Sequence, residues 1–132
     1  MNLSELRQRE LVRSRSRYAC EYCRLPECLA GGSLTQDHIF PPGQGGADEP
    51  GNLCWCCWCC NIRKGTCTEG VDPVSGKTVP LFNPRSEKWD THFRWSRDGL
   101  RIIGRTATGR ATVDALRLND PDRVETREFW VE

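Results

Sequence analysis

Apolar positions in this chain fall into short runs separated by breakers, not into long periodic stretches. Ser4 precedes a segment in which Leu6 and Leu11 are apolar and Arg7, Arg9, Arg13, Arg15 and Arg17 are charged. That pattern predicts a helix capped by Ser4 and ending near Arg17, with its arginines turned to solvent or phosphate. Pro26, Gly31 and Gly32 make residues 24 to 33 a loop. Leu34 to Ile39 reads as a short strand, and the run from Pro41 to Gly46 excludes regular structure. A second strand is predicted from Leu53 to Cys56. A helix then runs through Asn61, Ile62, Arg63 and Lys64, with Gly65 as its stop.

The character changes after Thr68. Asp72-Pro73, Ser75-Gly76 and Asn83-Pro84 mark turns in a segment expected to wrap around the core. His92 to Ser96 alternates apolar and polar residues, Asp98-Gly99 is a hairpin signal, and Leu100 to Gly104 answers it. Thr108 is placed to cap a helix through Ala111, Val113, Ala115 and Leu116. Asp120-Pro121 opens a last helix whose apolar positions are Val124, Phe129 and Trp130. His92 lies in a strand rich in Trp and Phe and is expected to be a packed or surface histidine.

A length of 132 residues predicts a single domain, or one small core with an extension. No stretch is long or apolar enough to cross a membrane. Met1 leads directly into Ser4-Glu5-Leu6-Arg7 without a secretion signal, so the expectation is a cytoplasmic protein with reduced thiols and no membrane partner. The net charge of +1 hides a segregation: residues 61 to 110 hold ten basic side chains against five acidic, and the last 22 residues hold six acids against three arginines. Such a distribution fits a basic working face with a balancing tail. It equally fits a set of solvated surfaces.

Nine cysteines, an odd number, argue against a disulfide framework in this setting. Two Cys-x-x-Cys pairs, Cys20 with Cys23 and Cys57 with Cys60, bracket the dipeptide Asp37-His38, and Asn61 follows the last of them. Two intervening residues bring both sulfurs of such a pair to one side of a tight turn, the spacing of a structural zinc (Zn²⁺) site. Cys56 and Cys59 form a competing pair one residue out of phase. Cys54 and Cys56 occupy strand positions where a free thiol behaves as a small hydrophobe. Cys28 and Cys67 have no partner at metal spacing and read as free thiols. A strand–loop–strand–helix unit this small buries too little apolar surface to fold unaided. A structural zinc would contribute on the order of 10 kcal/mol or more.

The set Cys20-x-x-Cys23, Asp37-His38-Ile39-x-Pro41, Gly45-Gly46-Ala47, Asn52-Leu53, Cys57-x-x-Cys60-Asn61 and Lys64-Gly65 resembles the HNH (ββα-metal, His-Me finger) endonucleases, in their zinc-containing bacterial or phage subgroup. The resemblance covers a core motif at about residues 18 to 66. Leu81 to Arg85, Gly109 to Thr112 and the final helix make an accessory segment, 80 to 132, similar to the tail of a bacterial subgroup. The implied fold class is α+β: a small zinc-stapled ββα-metal core with an N-terminal helix, and a C-terminal hairpin plus helices packed around it.

The resemblance implies a metal-dependent endonuclease that hydrolyses DNA phosphodiesters to 3′-hydroxyl and 5′-phosphate ends by a one-metal mechanism. His38, whose ordinary pKa lies near working pH, is then the general base. Asp37, on the opposite side of the chain from its neighbour, and Asn61, through its carbonyl oxygen, hold one catalytic ion. Oxygen ligands suit Mg²⁺ or Mn²⁺. Asn52 matches the family's middle Asn and is expected to hold the loop around His38. Because Asn61 must follow the second ligand of its pair, the zinc set becomes Cys20, Cys23, Cys57 and Cys60. Arg63 and Lys64 are expected at phosphates, with the N-terminal arginines and Arg94, Arg97, Arg101 and Arg105 extending the track. Trp55 and Trp58 are expected to pack around the zinc sooner than to stack on bases. The chain is compatible with a homodimer making paired nicks and names no protein partner. The alternative is a non-catalytic zinc module that binds nucleic acid or protein.

Overall fold

The computed structural model describes residues 1–31 and 34–130; Gly32 and Ser33, which end the predicted 24–33 loop, lie outside the described residues. The described residues are α+β, with short helices and two-stranded antiparallel sheets. They form two compact units, one of Met1–Thr66 with Asn83–Ser86 and one of Cys67–Phe82 with Glu87–Glu132.

In the first unit, helix α1 spans Leu3–Arg15. Its cap is Asn2, where Ser4 was expected: Asn2 Oδ1 accepts from the Glu5 amide at 2.8 Å and Glu5 Oε2 accepts from the Asn2 amide at 3.1 Å. This reciprocal capping box satisfies donors that a Ser4 cap would leave open. Leu6 and Leu11 are exposed, and Val12 is the buried residue of the helix. One apolar side chain is a weak anchor, and arginines supply the rest. Arg9 stacks its guanidinium 5.1 Å from the Trp55 ring centroid. Arg13 grips both Glu27 carboxylate oxygens at 2.6–3.0 Å. Arg15 donates to the Pro50 and Leu53 carbonyls at 2.6 Å each. The expectation that these arginines face solvent or phosphate is corrected for all three.

Strand β1 (Leu34–His38) pairs antiparallel with β2 (Leu53–Cys57), with Asp37 opposite Cys54 and His38 opposite Leu53. Every residue of β2 is buried, so its Leu-Cys-Trp-Cys-Cys run is covered on both faces. Helix α2 (Trp58–Lys64) begins on Cys57 as cap and stops at Gly65, whose φ of +52° suits glycine.

The second unit contains β3 (Glu69–Val71), β4 (Thr78–Pro80), α3 (Trp89–His92), β5 (Phe93–Trp95), β6 (Ile102–Gly104), α4 (Ala107–Ala115) and α5 (Pro121–Arg127). The β5–β6 hairpin turns at Asp98-Gly99, as the sequence predicts. Helix α4 is capped by Thr106, not Thr108: Thr106 Oγ1 accepts from the Gly109 amide at 3.0 Å, while the Thr108 carbonyl takes the Thr112 hydroxyl. His92 is packed, with its ring nitrogens 2.6 Å from Thr106 Oγ1 and 2.9 Å from Glu87 Oε2. A Cβ at Gly109 would overlap the His92 carbonyl, so a glycine lets α4 seat against α3. Helix α5 opens on Pro121 as predicted but ends at Arg127, leaving Phe129 exposed instead of in the core.

If Arg15 anchors α1, Arg15→Ala lowers the stability of the first unit by about 1–3 kcal/mol, the cost of orphaning partners of a charged hydrogen bond. Arg7→Ala, at an exposed position of the same helix, changes it by less than about 0.5 kcal/mol. Denaturant midpoints for the two variants check this.

Candidate active site and zinc centre

The two Cys-x-x-Cys turns converge in the first unit. The Sγ atoms of Cys20, Cys23, Cys57 and Cys60 lie within 4.8 Å of one another, and all four residues are buried. Each pair folds as a knuckle in which the first sulfur accepts from the amide three residues on: Cys20 Sγ from Cys23 N and Cys57 Sγ from Cys60 N, both at 3.5 Å. The Cys23–Cys57 sulfur separation of 3.6 Å is close to the roughly 3.8 Å edge of a tetrahedron with zinc–sulfur bonds of about 2.3 Å. The donor set and its spacing fit a structural zinc. Cys59 is exposed, so the competing Cys56–Cys59 register does not form. Cys54 and Cys56 are buried, and Cys28 and Cys67 are exposed free thiols.

The knuckles are braced by Glu21. Its amide donates to the Trp55 carbonyl at 2.9 Å, its carboxylate accepts from the Trp55 amide at 2.8 Å, and Arg85 pairs with it. Trp55 is buried, with its indole N–H on Glu27 at 3.0 Å. Trp58 is 55% exposed, which corrects the expectation that it packs around the zinc.

The hairpin delivers Asp37 and His38 to one end of the sheet. Successive strand residues point to opposite faces, so the two side chains diverge. Beyond them the chain enters a loop that Asn52 clamps. Its backbone carbonyl accepts from Ile39 N, its Oδ1 accepts from Phe40 N, and its Nδ2 donates to the Phe40 and Ala47 carbonyls, each at 2.9 Å. Gly46 lies against the Phe40 carbonyl so closely that any Cβ would overlap it. The clamp therefore needs both an amide side chain at position 52 and a glycine at position 46. His38 is partly exposed, and its Nε2 sits 3.3 Å from Asp48 Oδ1, a partner from the loop that sequence patterning does not single out.

Asp37 is largely buried. Its Oδ2 lies 3.6 Å from Lys64 Nζ and has no hydrogen-bond partner among the described residues. Burial pushes its carboxyl above the ordinary range, against the opposing pull of Lys64. Lys64 itself is 2% exposed and donates to the His38 and Ile39 carbonyls at 3.2 Å. The sequence suggests a phosphate contact at Lys64, but the fold turns it inward. Asn61 is half-buried one helical turn before Lys64, on the same side of α2, and Arg63 is exposed between them. The Lys64 contacts thus join the end of β1, which carries Asp37 and His38, to α2, which carries Asn61.

The family model described as HNH endonuclease matches residues 20–66, a little over a third of the chain and entirely within the first unit. The matched residues carry the four-cysteine cluster with Asp37, His38, Asn52 and Asn61. No curated protein and no solved structure matches the chain. No described helix is long and apolar enough to cross a membrane.

Burial holds the Cys20 and Cys60 thiols above their usual range, while hydrogen bonding from Cys20 draws Cys57 down. Because the bound form needs thiolates, zinc affinity falls as pH is lowered. Chelation is expected to unfold the first unit. Cys57→Ser loses one ion, and Cys59→Ser keeps the wild-type zinc content, measured by metal analysis of the purified proteins.

Proposed function

We propose that this chain is an HNH endonuclease that hydrolyses DNA phosphodiester bonds, leaving 3′-hydroxyl and 5′-phosphate ends. The observation that supports it best is Asp37: a largely buried carboxylate with an unbonded oxygen, beside the helix that carries Asn61 and next in sequence to a clamped imidazole. A buried carboxylate oxygen without a donor is costly unless a cation or proton completes it.

In this reading His38 takes the proton from the attacking water. The Asp48 carboxylate, 3.3 Å from Nε2, stabilises the positive charge the ring acquires. Asn52 holds the loop, and so the ring, in place. Asp37 and Asn61 offer oxygen atoms suited to Mg²⁺ or Mn²⁺. Such an ion, when bound, neutralises the phosphate and the departing 3′ oxygen. Lys64 favours the ionised form of Asp37 and ties the end of β1 to α2. Arg63, exposed beside Asn61, is the phosphate contact on this helix. Arg94, Arg97, Arg101 and Arg105 are exposed in the second unit and able to add sequence-independent contacts.

Plasmid cleavage with Mg²⁺ and with EDTA tests the assignment. Wild type cuts only with the ion, and His38→Ala loses at least about 100-fold, the lower range for a general base. Equal cutting by both proteins removes His38 from this role, and DNA binding without any cleavage favours a zinc-binding module. Asp37 must be ionised to hold the ion, and its raised pKa makes the acid limb of the rate profile begin above the ordinary carboxylate range. Lys64→Ala moves that limb to higher pH and leaves the salt dependence of DNA binding unchanged. A phosphate-contacting lysine would instead reduce the salt slope by about 1.

A further inference from the structure

The hairpin face that carries Asp37 holds chemistry the cleavage reaction does not use. Asp37 stands directly across the ladder from Cys54, and Cys56 lies two residues along β2 on the same face. The two sulfurs and a carboxylate oxygen of Asp37 lie within 4.8 Å of one another. Both thiols are wholly buried, and the Cys54 thiol points to the Tyr22 hydroxyl at 3.7 Å. Packing explains small side chains at positions 54 and 56. It does not explain why two sulfurs and a carboxylate oxygen converge, with a hydroxyl beside one of the sulfurs.

We propose that Asp37, Cys54 and Cys56 form a second metal site, separate from the four-cysteine cluster and taking a thiophilic divalent ion such as Zn²⁺ or Cd²⁺. Two thiolates select a soft ion over Mg²⁺. A tetrahedral ion with metal–sulfur bonds of about 2.3 Å and metal–oxygen bonds of about 2.0 Å needs ligands roughly 3.5–3.8 Å apart, a contraction of about 1.3 Å at most from the spacing present. On binding, each thiol releases its proton to solvent. Two thiolates and a carboxylate around a divalent ion leave one negative charge. The Lys64 ammonium, 3.6 Å from Asp37, neutralises it while keeping its bonds to the His38 and Ile39 carbonyls. Tyr22 or a water completes the shell. Because Asp37 is shared, a soft ion here withdraws it from the hard ion; that consequence alone rests on the nuclease reading.

The test is a titration of the full-length, reduced, metal-stripped chain with Cd²⁺, followed by ¹¹³Cd NMR and sulfur-to-metal absorption. Wild type is expected to take two ions, one giving an all-thiolate resonance and one a mixed sulfur–oxygen resonance. Cys54→Ala/Cys56→Ala drops from two ions to one and keeps the all-thiolate signal. One ion on wild type, or two on the double variant, overturns the proposal. The wild-type spectrum decides on its own should the variant fail to fold: a second, mixed resonance supports the site, and a lone all-thiolate resonance overturns it. In wild type, Mg²⁺-dependent cleavage falls with the second equivalent of Cd²⁺. An unchanged rate contradicts the sharing of Asp37, whereas a chain that never cleaves sinks the nuclease reading and leaves the metal count standing.

Discussion

Four buried cysteines from two distant turns converge in the first unit, in a cluster that could hold zinc. Cys20 and Cys23 precede the β1–β2 hairpin, and Cys57 and Cys60 end it and open α2. A metal joining them would close a loop that contains both strands, the Asn52 clamp, Asp37 and His38, with Asn61 following its last ligand directly. The apolar core of this unit is small, and α1 adds Val12 as its one buried apolar residue. A contribution on the order of 10 kcal/mol from a structural zinc is large against any margin such a core can supply. The hairpin geometry then follows. With β2 fixed by a knuckle at its C-terminal end, the register sets Asp37 opposite Cys54 and His38 opposite Leu53.

Charged side chains do structural work that an apolar core does in larger domains. Arg9, Arg13 and Arg15 fasten α1 through a ring face, a carboxylate and two backbone carbonyls. Arg85 meets Glu21 beneath the knuckles, and Lys64 sits among the carbonyls at the end of β1. A near-neutral net charge is therefore compatible with a basic substrate surface only through the residues that remain exposed, Arg63 among them.

Spacing made part of this legible from the residues alone. The two-residue gap in each cysteine pair predicts the knuckles, and Asn61 selects Cys57 and Cys60 over the out-of-phase pair; the fold leaves Cys59 exposed. The limits of β1 and β2 and the Gly65 stop are local signals and hold to within a residue. The caps were misread because Asn2 and Ser4, or Thr106 and Thr108, lie too close for propensity to separate. Lys64, Arg9, Arg13 and Arg15 depart from expectation for another reason. A sequence gives a charge but not its partner, and the Pro50 and Leu53 carbonyls lie 35 and 38 residues from Arg15. The Asp48 neighbour of His38 and the exposure of Trp58 likewise depend on how the loop and the start of α2 are seated.

In the proposed nuclease, the zinc frame presents Asp37 and Asn61 as a hard-ion site while taking no part in the reaction itself. Mn²⁺ binding to the zinc-loaded protein, followed by electron paramagnetic resonance, tests this most directly. Wild type is expected to bind Mn²⁺ saturably, and that binding is lost in Asp37→Asn and Asn61→Ala, with the zinc of the four-cysteine cluster retained in both. Mn²⁺ binding that survives both substitutions, or that disappears only when the cluster zinc is lost, would contradict it.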